Sequence, residues 1–136
     1  MLALLGLSDS YVHDGRVLTE AMRSDDDARG HEELGRLYKQ VNAPFGEFGM
    51  NSLAISTAAL ASTTTNDAMY TALQAKLASW NARRDALATE MRGALGGPDS
   101  GEDHDDDTSG KRLITRARTL LGEVRHCAAD VVGCAQ

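Results

Sequence analysis

The most regular stretch of the chain runs from about Asp67 to Leu95, where Tyr70, Leu73, Leu77, Trp80, Leu87, Met91 and Ala94 fall on alternating steps of three and four. That spacing puts them on one side of a long helix, with Arg84 the single break in the stripe. Gln74, Lys76, Asn81, Arg83, Asp85 and Glu90 occupy the opposite face, so one side seeks a partner and the other seeks water. Asn66 is the predicted N-cap, and Gly96-Gly97-Pro98 the predicted stop, since Gly relaxes a helix end and Pro cannot continue it. The same rhythm returns in Leu113, Ala117, Leu120, Val124, Cys127 and Val131. It predicts a last helix, capped by Ser109.

Two further elements precede these. Leu34, Leu37, Tyr38 and Val41 mark an amphipathic helix over His31 to Val41, which should stop at Pro44 because Asn42-Ala43-Pro44-Phe45-Gly46 is turn chemistry. Met50 to Ser62 is Ala-rich and weakly periodic (Leu53, Thr57, Leu60), and Thr63-Thr64-Thr65 ends it or begins a loop. Upstream, Val17 to Arg23 has room for two helical turns. Ser24-Asp25-Asp26-Asp27 reads either as a solvated patch or as a cap and favourable charge for the next helix. Leu2, Leu4, Leu5 and Leu7 form a short apolar turn, and a chain that begins this way reads as one cut from a longer parent. No segment reads as a convincing strand.

The expected fold is therefore all-α, a bundle of three to four helices. Residues 1–95 form a helical region, 96–110 a flexible acidic linker, and 111–136 the C-terminal amphipathic helix. The two long helices flanking the linker fold back as an antiparallel hairpin, covered by the shorter ones.

Length and composition narrow the function. One domain fits 136 residues. The apolar start at Met1 to Leu7 is far short of the roughly 20 residues a bilayer helix needs, so no membrane span is expected. No Lys or Arg precedes Leu2, and Asp9 interrupts the run early, which argues against a signal peptide and leaves a cytoplasmic location as the default. The net charge of −6 is local. Six acids lie between Asp99 and Asp107, and the other fourteen balance the fourteen Lys and Arg. The acidic run competes for Arg112, Arg116, Arg118 and Arg125, so nucleic acid is not an expected partner. Six aromatic residues provide no base-stacking surface.

Candidate chemistry is thin. Glu102 to Asp107 offers carboxylates and an imidazole, but it fails as a calcium loop. Counting from Asp105 puts Arg116 where a bidentate Glu is needed, and counting from Asp103 puts Thr108 at the glycine position and Ile114 at the twelfth. Gly110-Lys111 lacks the first glycine and the hydroxyl of a phosphate loop. His13, His31, His104 and His126 are scattered, with no paired ligand spacing and no nucleophile elbow. Arg84 is expected to snorkel or to pair with an acid on a neighbouring helix. Cys127 and Cys134 would sit about 10 Å apart on a continuous helix, so a bond between them requires the helix to end first. Buried thiols acting as small apolar groups are the favoured reading over a redox role.

The run Leu2-Ala3-Leu4-Leu5-Gly6-Leu7, followed by Asp14-Gly15-Arg16-Val17-Leu18, resembles the segment near the C-terminal end of the catalytic domain in phosphoesterases of the alkaline phosphatase superfamily. The stretch from Leu37-Tyr38-Lys39-Gln40-Val41 to Ser79-Trp80-Asn81-Ala82-Arg83 and on to about Ala94 is similar to the helical tail some bacterial members append. The resemblance implies enzymes with a Ser or Thr nucleophile and two metal ions held by Asp and His, all supplied by an upstream domain. None of those motifs is in this sequence, so no catalytic residue, cofactor or metal ligand is assigned, and His13 and Asp14 receive no role.

The expectation is a non-catalytic helical domain that packs through its apolar stripes against a catalytic phosphoesterase domain or a second copy of itself. Tyr70, Leu73, Leu77, Trp80, Leu87 and Met91 are the residues expected to make that contact; in a lone bundle the same residues form the interior. The alternatives are an independent helical interaction or regulatory module and, third, a residual phosphate-ester hydrolase.

Overall fold

Three of the predicted stripes meet. The computed structural model describes residues 25–61, 66–96 and 106–135. It consists of α1 (Asp25–Asn42), α2 (Glu47–Ala61), α3 (Asp67–Gly96), α4 (Asp106–Ala129) and the single turn α5 (Val131–Cys134). No strand occurs among the described residues, and the four long helices pack as a small all-α bundle. Leu2 to Leu7, Val17 to Arg23, the Thr63–Thr65 run and Asp99 to Asp105 lie outside the described residues.

The core is built from the residues whose spacing announced it. Leu34, Leu37 and Val41 of α1, Leu73, Leu77, Trp80, Leu87 and Met91 of α3, and Leu113, Ala117, Leu120, Val124 and Cys127 of α4 form one buried cluster. Leu121 and Ala88 join them from positions beside the stripes, widening both. α3 and α4 run antiparallel, since Arg83 meets Glu123 while Glu90, seven residues further on, meets Arg116. The Asn66 cap forms as expected, its side-chain oxygen accepting the Met69 N–H at 2.9 Å.

Several boundaries differ from the reading of the sequence: α1 begins at Asp25, six residues before His31, and α2 at Glu47, three before Met50. α4 begins at Asp106, so Ser109 is inside the helix rather than its cap. Acidic residues suit the positive end of a helix dipole, and the end of the supposed linker serves as a helix start. At the other end the last helix is not continuous, because Asp130 interrupts it.

The corner between α1 and α2 is tight. Gly46 N–H donates to the Ala43 carbonyl at 2.8 Å, and the Gln40 side chain accepts the Glu47 N–H at 3.1 Å, satisfying one of the free donors at the start of α2. A Cβ on Gly46 would lie 2.6 Å from the carbonyl oxygens of both Lys39 and Gln40, and one on Gly49 would run into the Pro44 carbonyl. These neighbours are backbone and yield only if the corner moves. Gly93, by contrast, has open space around it in α3. Gly46→Ala is expected to destabilise the protein by roughly 1–3 kcal/mol, whereas Gly93→Ala should stabilise it by about 0.5–1 kcal/mol; urea unfolding of the two variants beside the parent checks both signs.

Candidate functional site

The residues expected to meet a partner are mostly spent inside. Leu73, Leu77, Trp80, Leu87 and Met91 are buried in the bundle's own core, and Tyr70 alone of the six is exposed. Their stripe thus does what a lone bundle requires, and it is not available to an outside surface.

The uncovered apolar surface lies on α2 instead. This helix carries no charged residue after Glu47, and it is apolar on both sides. Phe48, Ile55 and Ala59 face the core. At about 100° per residue, Met50, Leu53, Thr57 and Leu60 fall on the opposite side. There Met50 is 49% exposed, Leu53 60% and Leu60 75%, with Phe45 of the preceding turn at 89%. The weak periodicity of Leu53, Thr57 and Leu60 therefore marks the outer face of α2, not its buried one. The signal present in the sequence was the charge-free run from Phe48 to Ala61, since a helix that is hydrophobic all round is normally covered all round.

A polar seam joins α3 to α4. The Trp80 indole N–H donates to Glu123 at 3.0 Å, and the Arg83 guanidinium grips the same carboxylate with bonds of 2.5 and 3.0 Å. Two turns on, Arg116 holds Glu90 in the same two-pronged way. Between the two arginines is a groove of about 240 Å³, flanked by Thr115 and Thr119 and floored by Leu87 and Leu120. Both arginines are already committed to carboxylates, and both threonine hydroxyls donate to carbonyls of α4. The charged groups that line the groove are thus turned to pairing α3 with α4. On the far side of α4, Arg118 bonds Glu33 of α1 at 2.5 Å, and Arg36 adds a contact at 3.3 Å.

Arg84 does not reach an acid on a neighbouring helix. It bonds Asp85, its successor on α3, at 2.7 and 2.9 Å, and its guanidinium lies 5.3 Å from the ring centroid of Phe48 on α2. A cation held over an aromatic face explains how Arg84 sits in an otherwise apolar stripe.

The cysteines also depart from expectation. Cys127 and Cys134 are not separate buried thiols but a disulfide, with Cα atoms 5.1 Å apart. The helix does end between them. Asp130 leaves helical geometry and its carboxylate accepts the Gly133 N–H at 2.9 Å, starting α5 at an angle that returns Cys134 to Cys127. Asp130-Val131-Val132-Gly133, an N-cap residue ahead of two β-branched residues and a glycine, was the sequence signal for that break. Lys76 of α3 donates to the Cys134 carbonyl, and its ammonium is 3.9 Å from Cys134 Sγ. Among the described residues no group of three His, Cys, Asp or Glu is placed to hold a metal ion, and no helix is long and apolar enough to cross a membrane.

The seam makes stability acid-sensitive in a defined direction. Hydrogen bonds from Arg83 hold the Glu123 carboxyl below the usual carboxylate range against the opposing effect of burial, with Trp80 assisting. Arg118 does the same for Glu33, and Arg116 for Glu90. A carboxyl whose folded value is depressed contributes stability that is present above its unfolded value, near 4.3, and is lost as pH falls through the folded one. The thermal midpoint should thus decline as pH drops from about 5 towards 3. Glu123→Gln, which keeps an acceptor for Trp80, should lower the midpoint at pH 7 and flatten that decline; a series of melts across this range is the check.

Compared with models of protein families, with curated proteins and with solved structures, the chain matches none of them.

Proposed function

We propose that this chain is a helical interaction module that pairs with a second copy of itself through the outward apolar side of α2. The observation that carries the reading is the exposure of Met50, Leu53 and Leu60, with Phe45 beside them, on a helix without charge beyond its first residue. In a two-fold contact each residue meets the same patch on its partner, so any charge near the axis would face its like. A neutral stripe on three-four spacing avoids that penalty and suits packing against an identical helix. Exposed apolar patches rimmed by polar residues are typical of protein contact sites, and nothing in this role requires a reaction.

The resemblance at Leu2 to Leu18 gives the second reading, in which a catalytic phosphoesterase domain covers the face. It is supported by that sequence pattern, which lies outside the described residues, and by the similarity of Leu37 to about Ala94 to the helical tail of such enzymes.

Light scattering over a wide concentration series should give a mass that rises from one chain to two. Leu53→Glu and Leu60→Glu put like charges opposite each other across the axis and should each weaken the dimer by at least roughly a hundredfold. Helical content should be unchanged, because both side chains point away from the core. A parent chain that stays monomeric at every concentration overturns the self-pairing.

A further inference from the structure

The disulfide and its surroundings are not needed for pairing through α2, yet they are built asymmetrically. Cys127 is buried in the core, while Cys134 is half-buried on a one-turn helix at the edge. An isolated single turn has little helical stability of its own, and α5 has no fully buried residue. The less buried of the two cysteines is also the one beside the Lys76 ammonium. A neighbouring cation favours the thiolate, the form of cysteine that reacts. The other charged groups around this corner are Asp130 at the junction, engaged by Gly133 N–H, the exposed His126 at the end of α4, and the Arg125–Glu47 pair linking α4 to α2.

We propose that Cys127 and Cys134 are an exchangeable dithiol–disulfide couple for small disulfides of the glutathione type, with Cys134 the attacking sulfur, Cys127 the resolving one and Lys76 the residue that positions and steadies Cys134. In the reduced chain the Cys134 thiolate attacks one sulfur of the small disulfide. A Cys134–S bond forms, the S–S bond of the small molecule breaks, and one thiolate departs and is protonated by water. Cys127 then gives its proton to solvent and attacks Cys134 Sγ. The mixed disulfide breaks, the second small thiolate leaves, and the Cys127–Cys134 bond is complete. Two electrons have passed from the cysteine pair to the small disulfide, which becomes two thiols. The reverse sequence begins at Cys134 because it is the less buried of the two cysteines and so the easier for a thiolate to reach.

The oxidised and reduced states also differ in what the backbone can do. The bond holds the α4–α5 break closed, since seven residues of continuous helix would part the two Cα atoms by about 10 Å. Reduction removes that restraint on the chain beyond Asp130.

The test uses the full chain, reduced and then freed of reductant, with glutathione disulfide as the probe and acid-quenched mass spectrometry as the readout. Cys127→Ala should accumulate a glutathione adduct on Cys134, whereas Cys134→Ala should react at Cys127 at least about tenfold more slowly. Lys76→Met should slow the first step about three- to tenfold at pH 7 and move the midpoint of Cys134 alkylation to higher pH, and Lys76→Arg should restore both. Circular dichroism of each variant identifies any that fail to fold, and Lys76 variants leave the core untouched. Equal adduct rates on the two cysteines, or a Lys76→Met chain with the parent's rate and midpoint, would overturn the proposal.

Discussion

The breadth of the buried stripe on α4 is the constraint from which the rest of the structure follows. Leu113, Ala117, Leu120, Val124 and Cys127 alone would make a seam one helix wide, which α3 could cover as a simple hairpin. Leu121 is buried too, next to Leu120, and adjacent residues on a helix point about 100° apart. A single partner cannot shield both directions, so α1 and α2 must pack on the remainder. Fully buried Ala117 lets a neighbour come close at the middle of this surface. Among the described residues no polar or charged residue belongs to the buried core, although Glu47 Oε1 and Ser52 Oγ are enclosed at its edge, and the core therefore sets few directional demands of its own.

Register is supplied at the rims. Glu123 with Arg83, Glu90 with Arg116, and Glu33 with Arg118 each join α4 to a different stretch of its neighbours. Pairs as exposed as these add little net stability, but a one-turn shift of α4 against both neighbours would break them together. Trp80 takes part from the apolar side, its ring in the core and its N–H on Glu123, so the seam couples the greasy layer to the charged one. Arg84 over Phe48 does comparable work between α3 and α2.

The helices were legible because their stripes are regular. Leu73, Leu77, Trp80, Leu87 and Met91 of α3 and the matching set of α4 obey a single period, and the structure buries them. What periodicity cannot tell is which of two apolar sides turns inward. On α2 the more evenly spaced set, Leu53, Thr57 and Leu60, is the outer one, and Phe48, Ile55 and Ala59 took the core, where ring and β-branched bulk fill the space left by α1 and α4. The disulfide was hidden for a different reason: the periodic stripe runs through Cys127 to Val131 as if the helix continued, while the decisive residue, Asp130, is polar and off the stripe. Local capping chemistry beat the longer pattern there.

Trp80 is the one tryptophan in the chain, and its indole is shared between the interior and the Glu123 carboxylate. Its fluorescence thus originates from a single, defined place, the junction of the two longest helices. Loosening of that junction exposes the indole to water and shifts its emission to the red, so the molecule carries its own optical gauge of whether α3 and α4 are still joined.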